Sequence, residues 1–362
     1  MLTEEQLVVL KEILNTESPS GCEGQLICLL QKHLHSICKM ETDTIGNLYM
    51  YASQKETGLR LMITAHTDEV GFQVTHIDDN GFIYFRGVAS ADIHTIPGSE
   101  VVLLSKRGNV DGVVGKKSPH VQGKEEKNKT LQIEDLWIDC GFSTKEEANM
   151  YISPGDYLTL KPNVHFSVNN KRVISKALDN KISVFILVDV IKRLVKMDIP
   201  ISVIGVATTQ EELGCRGSIV AANRIKPDIS LSLDVGIASD IPNMDLQQYG
   251  KFELGKGVGI VHNANNNELL VQSLISTAKE GKIAYQETIG LRSTGGTETS
   301  NIQLSMQGVA TANISIPNRY IHSLVEICDL SDVEGAIDLL VKEVHSLSFI
   351  HKSQFNLFAI NN

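Results

Sequence analysis

The residues best suited to chemistry are two adjacent carboxylates in the stretch Thr208-Thr209-Gln210-Glu211-Glu212-Leu213-Gly214. Directly before them, Ile201 to Ala207 is a short run rich in Ile and Val. That composition suits a strand buried on both faces of a parallel sheet. Glu211 and Glu212 then lie just past the carboxyl end of a strand, where open α/β sheets bind ligands. Neighbouring side chains leave the backbone in different directions, so the pair is expected to divide its work. One Glu binds something cationic and the other handles protons. A Glu-Glu pair after a strand also describes plain solvated surface, so other parts of the chain must supply the cation.

Two further apolar runs deliver similar groups. Leu59 to Ala65 ends in His66-Thr67-Asp68-Glu69, and Asp228 to Leu233 ends at Asp234. A metal-binding His commonly needs a partner that fixes its tautomer, and Asp68 stands two residues beyond His66. His322 follows a fourth run, Thr311 to Ile316, in Pro317-Asn318-Arg319-Tyr320-Ile321-His322-Ser323. Asp179 precedes a strongly apolar helical stretch, Ile182 to Val195, where capping is its simpler role. The set His66, Asp179, Glu212, Asp234 and His322 can hold two divalent ions if one carboxylate bridges them, the arrangement used in two-metal hydrolysis. Mixed imidazole and carboxylate donors suit Zn²⁺, Co²⁺ or Mn²⁺ rather than Ca²⁺ or a thiolate-bound structural zinc. Glu211, beside a ligand but free, is then the general base. There is no H-E-x-x-H, G-x-S-x-G or P-loop, and Gly255 to Gly259 lacks the spacing of a nucleotide fingerprint and reads as a turn or hairpin. His94 and His120 read as non-ligands.

The elements that must position these groups follow from periodicity. Thr3 to Leu14 carries a capping box, Thr3 with Gln6, and apolar residues at helical spacing. Ser18-Pro19-Ser20-Gly21 breaks it, and a second amphipathic helix follows over 23–37. From Val70 to about Val164 short β-type runs alternate with Gly, Pro and Asn turns, apart from a short helical pattern at Thr144 to Met150. This predicts an inserted small β-barrel or sandwich. The polar run 115–130 predicts an exposed loop and 290–299 a flexible one. The last helix spans Asp329 to Ser346.

At 362 residues, two domains are the default. A composition 42% hydrophobic and 21% charged is that of an ordinary globular protein. The formal charge of -10 argues against nucleic acid or anionic membrane as partner, since both call for basic patches. The six cysteines show no C-x-x-C spacing and read as free thiols in a reducing compartment. The N-terminus lacks a basic region followed by an apolar one, and no apolar run approaches a membrane span. A cytoplasmic protein is expected.

Taken together, Ala65-His66-Thr67-Asp68-Glu69-Val70-Gly71-Phe72, Lys176-Ala177-Leu178-Asp179, Thr209-Gln210-Glu211-Glu212-Leu213-Gly214-Cys215-Arg216-Gly217, Asp234 and Ile316-Pro317-Asn318-Arg319-Tyr320-Ile321-His322-Ser323 closely resemble the M42 family of dinuclear metallo-aminopeptidases. That family includes the glutamyl aminopeptidases and the large tetrahedral (TET) aminopeptidases, and the resemblance runs through nearly the whole chain. It implies an α/β fold with a mixed sheet flanked by helices, residues 1–69 and 165–362, interrupted by a barrel-like dimerisation domain, residues 70–164. It also implies roles. Asp179 bridges two divalent ions, Zn²⁺ or Co²⁺ and also Mn²⁺; His66 and Asp234 complete one site, Glu212 and His322 the other. Asp68 orients His66, and Glu211 is the catalytic base. Family members often assemble from dimers into twelve-subunit shells that degrade short peptides, so a homo-oligomer acting on short peptides is expected. The chain departs from the family at Asn180-Lys181, where a second Asp followed by Arg is usual, and at Gly296-Thr297-Glu298, where Gly-Thr-Asp is usual. Neither departure removes a ligand. Arg292 and Lys181 are candidates for selecting acidic side chains, against the simpler reading of solvated charges. The rival readings are a deacylase or amidohydrolase acting on N-acyl compounds, and a catalytically silent binding homologue. Glucan hydrolysis is discounted because it relies on paired carboxylates rather than on two metals.

Overall fold

The computed structural model describes residues 2–56, 58–124, 129–290 and 296–350. The chain opens with α1 (Glu4–Asn15) and α2 (Gly24–Leu34), then β1 (Lys39–Thr42), β2 (Leu48–Ser53) and β3 (Arg60–His66). The capping box is present: the Gln6 N–H donates to the Thr3 hydroxyl at 3.2 Å, and the Thr3 N–H to the Gln6 side chain at 2.8 Å. The helix therefore starts at Glu4 and buries Val9, Leu10, Ile13 and Leu14 on one face.

Next come β4 (Gly71–Ile77), β5 (Ile83–Val88), β6 (Glu100–Ser105), β7 (Gly108–Lys116), β8 (Leu136–Asp139), α3 (Lys145–Asn149) and β9 (Tyr157–Leu160). These six strands close into a barrel in the order β4-β5-β8-β7-β6-β9. Its own core includes Phe72, Ile83, Phe85, Val101, Leu103, Ile138 and Leu158, with Phe72 and Phe85 packed edge to face at 5.3 Å. Closure leaves the barrel no free edge. The polar run between β7 and β8 begins within β7 and passes through a 3-10 turn at Pro119–Val121; residues 125–128 of that run lie outside the described residues.

The α/β texture returns with β10 (His165–Phe166), β11 (Arg172–Ser175), α4 (Leu178–Leu194), β12 (Ser202–Thr208), α5 (Arg216–Ile225), β13 (Ile229–Ile237), α6 (Leu246–Tyr249) and β14 (Val258–Val261). It ends with α7 (Glu268–Gly281), β15 (Tyr285–Thr288), α8 (Thr299–Gln303), β16 (Ala310–Asn318), β17 (Glu326–Asp329) and α9 (Leu330–Leu347). Eight strands form a mixed sheet in the order β1-β2-β12-β3-β13-β16-β14-β15. The central four, β12, β3, β13 and β16, are mutually parallel. Thr208 pairs with His66 and Ser232 with Thr64, a register that brings Asp234 level with His66. One face of the sheet is covered by α1, α2, α4, α7 and α9, whose apolar residues form the main core. The other face carries a smaller cluster, in which Ala221, Ala222 and Ile225 of α5 and Ile302 of α8 meet Tyr49, Met62 and Val206. Helix α4 is buried nearly all round, as expected of a helix apolar on every side.

Candidate metal centre

Each candidate group is placed by a local device at the carboxyl edge of the parallel strands. His66 is the last residue of β3, and Thr67 then locks that strand to its neighbour: its N–H and hydroxyl both donate to the Thr208 carbonyl, at 2.8 and 2.7 Å. Asp234 lies inside β13, which runs on to Ile237 instead of stopping at the acid. Glu211 and Glu212 sit in the turn between β12 and α5, entered through Gln210 at φ 55° and left through Cys215 at φ 56°. His322, at φ 64°, stands between β16 and β17. Positive φ in non-glycine residues is uncommon and persists only where the surroundings enforce it.

Asp179 corrects the simpler reading. It caps nothing: the start of α4 is Ala177 in the left-handed region, without a side-chain cap, and Asp179 itself is non-helical at φ -77°, ψ 104°. Its carboxylate turns inward. Oδ1 lies 3.3 Å from His66 Nε2 and Oδ2 3.2 Å from His322 Nε2. Asp234 Oδ1 is 3.8 Å from His66 Nε2, and Glu212 Oε1 is 3.1 Å from His322 Nε2. His66, Asp179 and Asp234 form one group with the span of a cation site, and Asp179, Glu212 and His322 form another. A third combination, His66 with Glu211 and Glu212, also falls within that span, with Glu211 Oε2 3.9 Å from His66 Nε2.

The imidazoles show that these groups suit cations. His66 Nδ1 is 3.1 Å from the Asp68 main-chain carbonyl, and His322 Nδ1 is 2.8 Å from the Ser90 carbonyl. A carbonyl only accepts, so each Nδ1 carries a proton and each Nε2 is the nitrogen that faces the acids. An Nε2 that gives up its own proton to an arriving cation leaves only acceptors turned toward the centre. Asp179 Oδ1 is buried and accepts no hydrogen bond, a costly condition for a carboxylate unless a cation or proton neutralises it. Electrostatics agree. Burial raises the carboxyls of Glu211, Glu212 and Asp234, with neighbouring acids adding to the effect. Burial would lower His322, but Asp179 and Glu212 outweigh it and push the ring up to about 11. His66 is raised in the same way by Asp179, Asp234 and Asp68, and both imidazoles hold Asp179 well below its usual range against its burial.

Further residues surround the centre, some in roles that the sequence did not suggest. The Asp68 carboxylate is 3.4 Å from His66 Nδ1, but its hydrogen bonds are accepted from the backbone N–H groups of Glu211 (2.9 Å) and Glu212 (3.1 Å) and from the Ser20 hydroxyl (2.6 Å). Asp68 thus orients His66 through its main chain and the Glu-Glu turn through its side chain. The Cys215 thiol donates to Glu211 Oε1 at 3.1 Å. Glu326 is buried behind Asp179 and His322. Lys181, read as a solvated charge, is fully buried; with Lys176 it flanks the Glu69 carboxylate, Lys181 at 2.9 Å. Asn180 Nδ2 donates to the Leu233 carbonyl at 2.9 Å, tying the start of α4 to β13. Glu298 is buried, which lifts its carboxyl to about 7. His94 and His120 are exposed and belong to none of these groups. Arg292 lies outside the described residues, as do the other residues from 291 to 295 in the 290–299 loop. No helix among the described residues is long and apolar enough to cross a membrane, and all six cysteines are free.

Comparison with known proteins follows the same line. The family model described as M42 glutamyl aminopeptidase matches residues 46–339. A putative aminopeptidase of Escherichia coli, SgcX, is 36% identical over 82% of this chain and 82% of its own length. The crystal structure of a TET aminopeptidase from a marine sediment thaumarchaeon superposes with a TM-score of 0.93 at 29% identity, covering 98% of this chain and 99% of that one. The TET1 peptidase of Pyrococcus horikoshii, which can assemble into a tetrahedron or a large octahedral shell, gives 0.84 at 29% identity, over 93% of this chain and 98% of that one. The chain belongs to the M42 peptidase family and is an aminopeptidase, a hydrolase of peptide bonds.

Proposed function

We propose that this aminopeptidase removes N-terminal residues from short peptides with the help of two divalent cations, Zn²⁺ or Co²⁺ and also Mn²⁺. His66, Asp179 and Asp234 would hold one, and Asp179, Glu212 and His322 the other. The observation that supports this most is the splitting of one carboxylate, with Asp179 Oδ1 turned to His66 and Oδ2 to His322. Such ions supply Lewis acidity, polarising a carbonyl and lowering the pKa of water. Glu211, next to Glu212 in the chain and held by the Cys215 thiol, takes a proton from the attacking water and returns it to the leaving amine. Asp68 keeps His66 and the Glu211 backbone in register, and Cys215 orients the Glu211 carboxylate. The free α-amine of the substrate is cationic and finds carboxylates at the same edge, which favours exopeptidase action.

The TET relatives support a homo-oligomer built from dimers, up to a dodecamer. In this reading the barrel, residues 70–164, is the dimerisation domain of a cytoplasmic enzyme, and residues 1–69 and 165–362 form the catalytic domain. The test is to strip the protein of metal, restore Zn²⁺, Co²⁺ or Mn²⁺, and assay a panel of aminoacyl chromogenic substrates beside N-acyl amino acids. Two ions per chain and release from aminoacyl substrates are expected. Turnover of N-acyl compounds alone would make it a deacylase, and a protein that holds no ion and cleaves nothing would be a silent homologue.

A further inference from the structure

We infer that Glu326 is a positioning residue that fixes the geometry of the second candidate cation site by holding the backbones of Asp179 and His322, two of its three candidate ligands, with a single carboxylate. The inference rests on the proposed roles of those two residues as ligands. Glu326 opens β17 and is 1% exposed. Its Oε2 accepts the Asp179 N–H at 2.8 Å and the Asn318 side-chain amide at 2.8 Å, and its Oε1 accepts the His322 N–H at 3.1 Å. It belongs to none of the three candidate groups, and it forms no ion pair among the described residues. A carboxylate buried without a cationic partner is unfavourable unless donors surround it. Here the donors are the main chain of the shared ligand, the main chain of the second imidazole and an amide from β16.

The topology explains why one side chain can reach both. In the antiparallel pairing of β11 with β17, Ser175 stands opposite Glu326, and the chain runs from Ser175 straight into Asp179. On its other side β17 is joined to the end of β16 by the bridge between Arg319 and Ile327. Glu326 therefore stands where the β11–α4 and β16–β17 connections meet. Asp179 lies in a non-helical stretch and His322 has positive φ, so neither backbone is held by regular structure of its own. With three donors on two oxygens, the carboxylate fixes the Asp179-to-His322 spacing that a shared ligand requires.

The test is Glu326→Gln in the full-length chain. The amide keeps the volume but turns an NH₂ group toward an N–H donor. Calorimetric titration of metal-stripped protein with Co²⁺ is expected to show the second binding event weakened by roughly 10–100-fold, the range for partners that orient metal ligands. The visible spectrum of the Co²⁺ form is expected to shift, and kcat to fall more than KM rises. Asn318→Ala removes one of the three donors without touching a ligand, and a smaller loss in the same direction is expected. If Glu326→Gln does not fold, as judged by circular dichroism, Asn318→Ala decides alone. Two Co²⁺ events at wild-type affinity in the deciding variant overturn the inference while leaving the proposed function intact. A wild-type chain that binds fewer than two ions overturns both.

Discussion

Asp68 Oδ1 accepts the backbone N–H of Glu211 at 2.9 Å. The other oxygen accepts the next N–H, that of Glu212, at 3.1 Å, so one carboxylate at the end of β3 holds the turn beyond β12. Asp68→Asn puts an NH₂ group against one of these donors and leaves an N–H unpaired. Loss of an orienting partner of this kind costs about 10–100-fold in activity or metal affinity. A fall of that size in kcat is expected, with the fold retained. Steady-state kinetics with metal analysis checks it, and wild-type kcat would show that the turn holds without Asp68.

Glu211→Gln keeps the shape of the side chain and its place beside Cys215 but cannot take a proton. General-base catalysis is worth about 10²–10⁴-fold, so kcat is expected to drop by that factor while metal content stays unchanged. Near-normal turnover would remove Glu211 from the role of base.

Ion binding is expected to release protons. His322, held up to about 11, and His66, also raised, keep their extra protons at neutral pH when no cation is present. A group with a raised pKa stays protonated until the pH passes that raised value, so each arriving ion must displace protons and affinity must climb with pH. Calorimetry between pH 6 and 8 in buffers of different ionisation enthalpy measures this. A binding heat independent of the buffer would contradict it.

Glu69 is expected to add to the acid sensitivity of the fold. Burial alone would raise its carboxyl, but Lys176 and Lys181 outweigh burial and hold it down to about 2. A depressed carboxylate adds stability that is fully present above its ordinary 4.5 and lost as the pH falls from there toward 2. For Lys181 burial outweighs Glu69, and the ammonium is lowered to about 8. Glu69 therefore mainly offsets the cost of burying the ammonium, and the pair is no simple gain for both partners. Glu69→Gln leaves two buried ammoniums without their counter-charge, and a loss of about 3–5 kcal/mol is expected. Denaturant unfolding at pH 7 reads it; a loss below about 1 kcal/mol would mean that water reaches the lysines.

Gly217 sets how closely α5 approaches the Glu-Glu turn. A Cβ there would lie 2.4 Å from the Thr209 carbonyl and 2.5 Å from Asn47 Oδ1, and Asn47 in turn accepts the Thr209 N–H at 3.0 Å. Gly217→Ala is expected to cost about 1–3 kcal/mol, the range for overpacking, and to lower kcat by moving Glu211. Unfolding curves and kinetics together check both halves, and unchanged kcat in a folded variant would show that the turn can yield.

Much of this was legible in the sequence because parallel strands are short, apolar and punctuated. Leu59 to Ala65 and Ile201 to Ala207 could be placed within a residue, and what followed each could be read as edge chemistry. The barrel showed in the change of texture after Val70. Asp179 was ambiguous because an acid before an apolar helix has the composition of a cap, and only its backbone turns it inward. Glu326, Lys181 and Cys215 were not legible, since their partners lie in distant segments and no period in the sequence encodes such a meeting. The carboxylate of Asp68 also took a partner its spacing did not suggest.

The neighbouring strands β12, β3, β13 and β16 occupy the middle of one sheet, yet they enter the chain in a different order and the last of them arrives late. A nascent polypeptide that has emerged only as far as α7 already contains His66, Asp179, Glu212 and Asp234, but lacks the imidazole that follows β16. The candidate cation centre is therefore complete only once the β16–β17 connection is made, and an ion that binds there would favour the completed native state over partly folded ones by mass action. Under the proposed two-ion reading, metal loading would act as a form of quality control, because a chain cut short before His322 could not complete the second site.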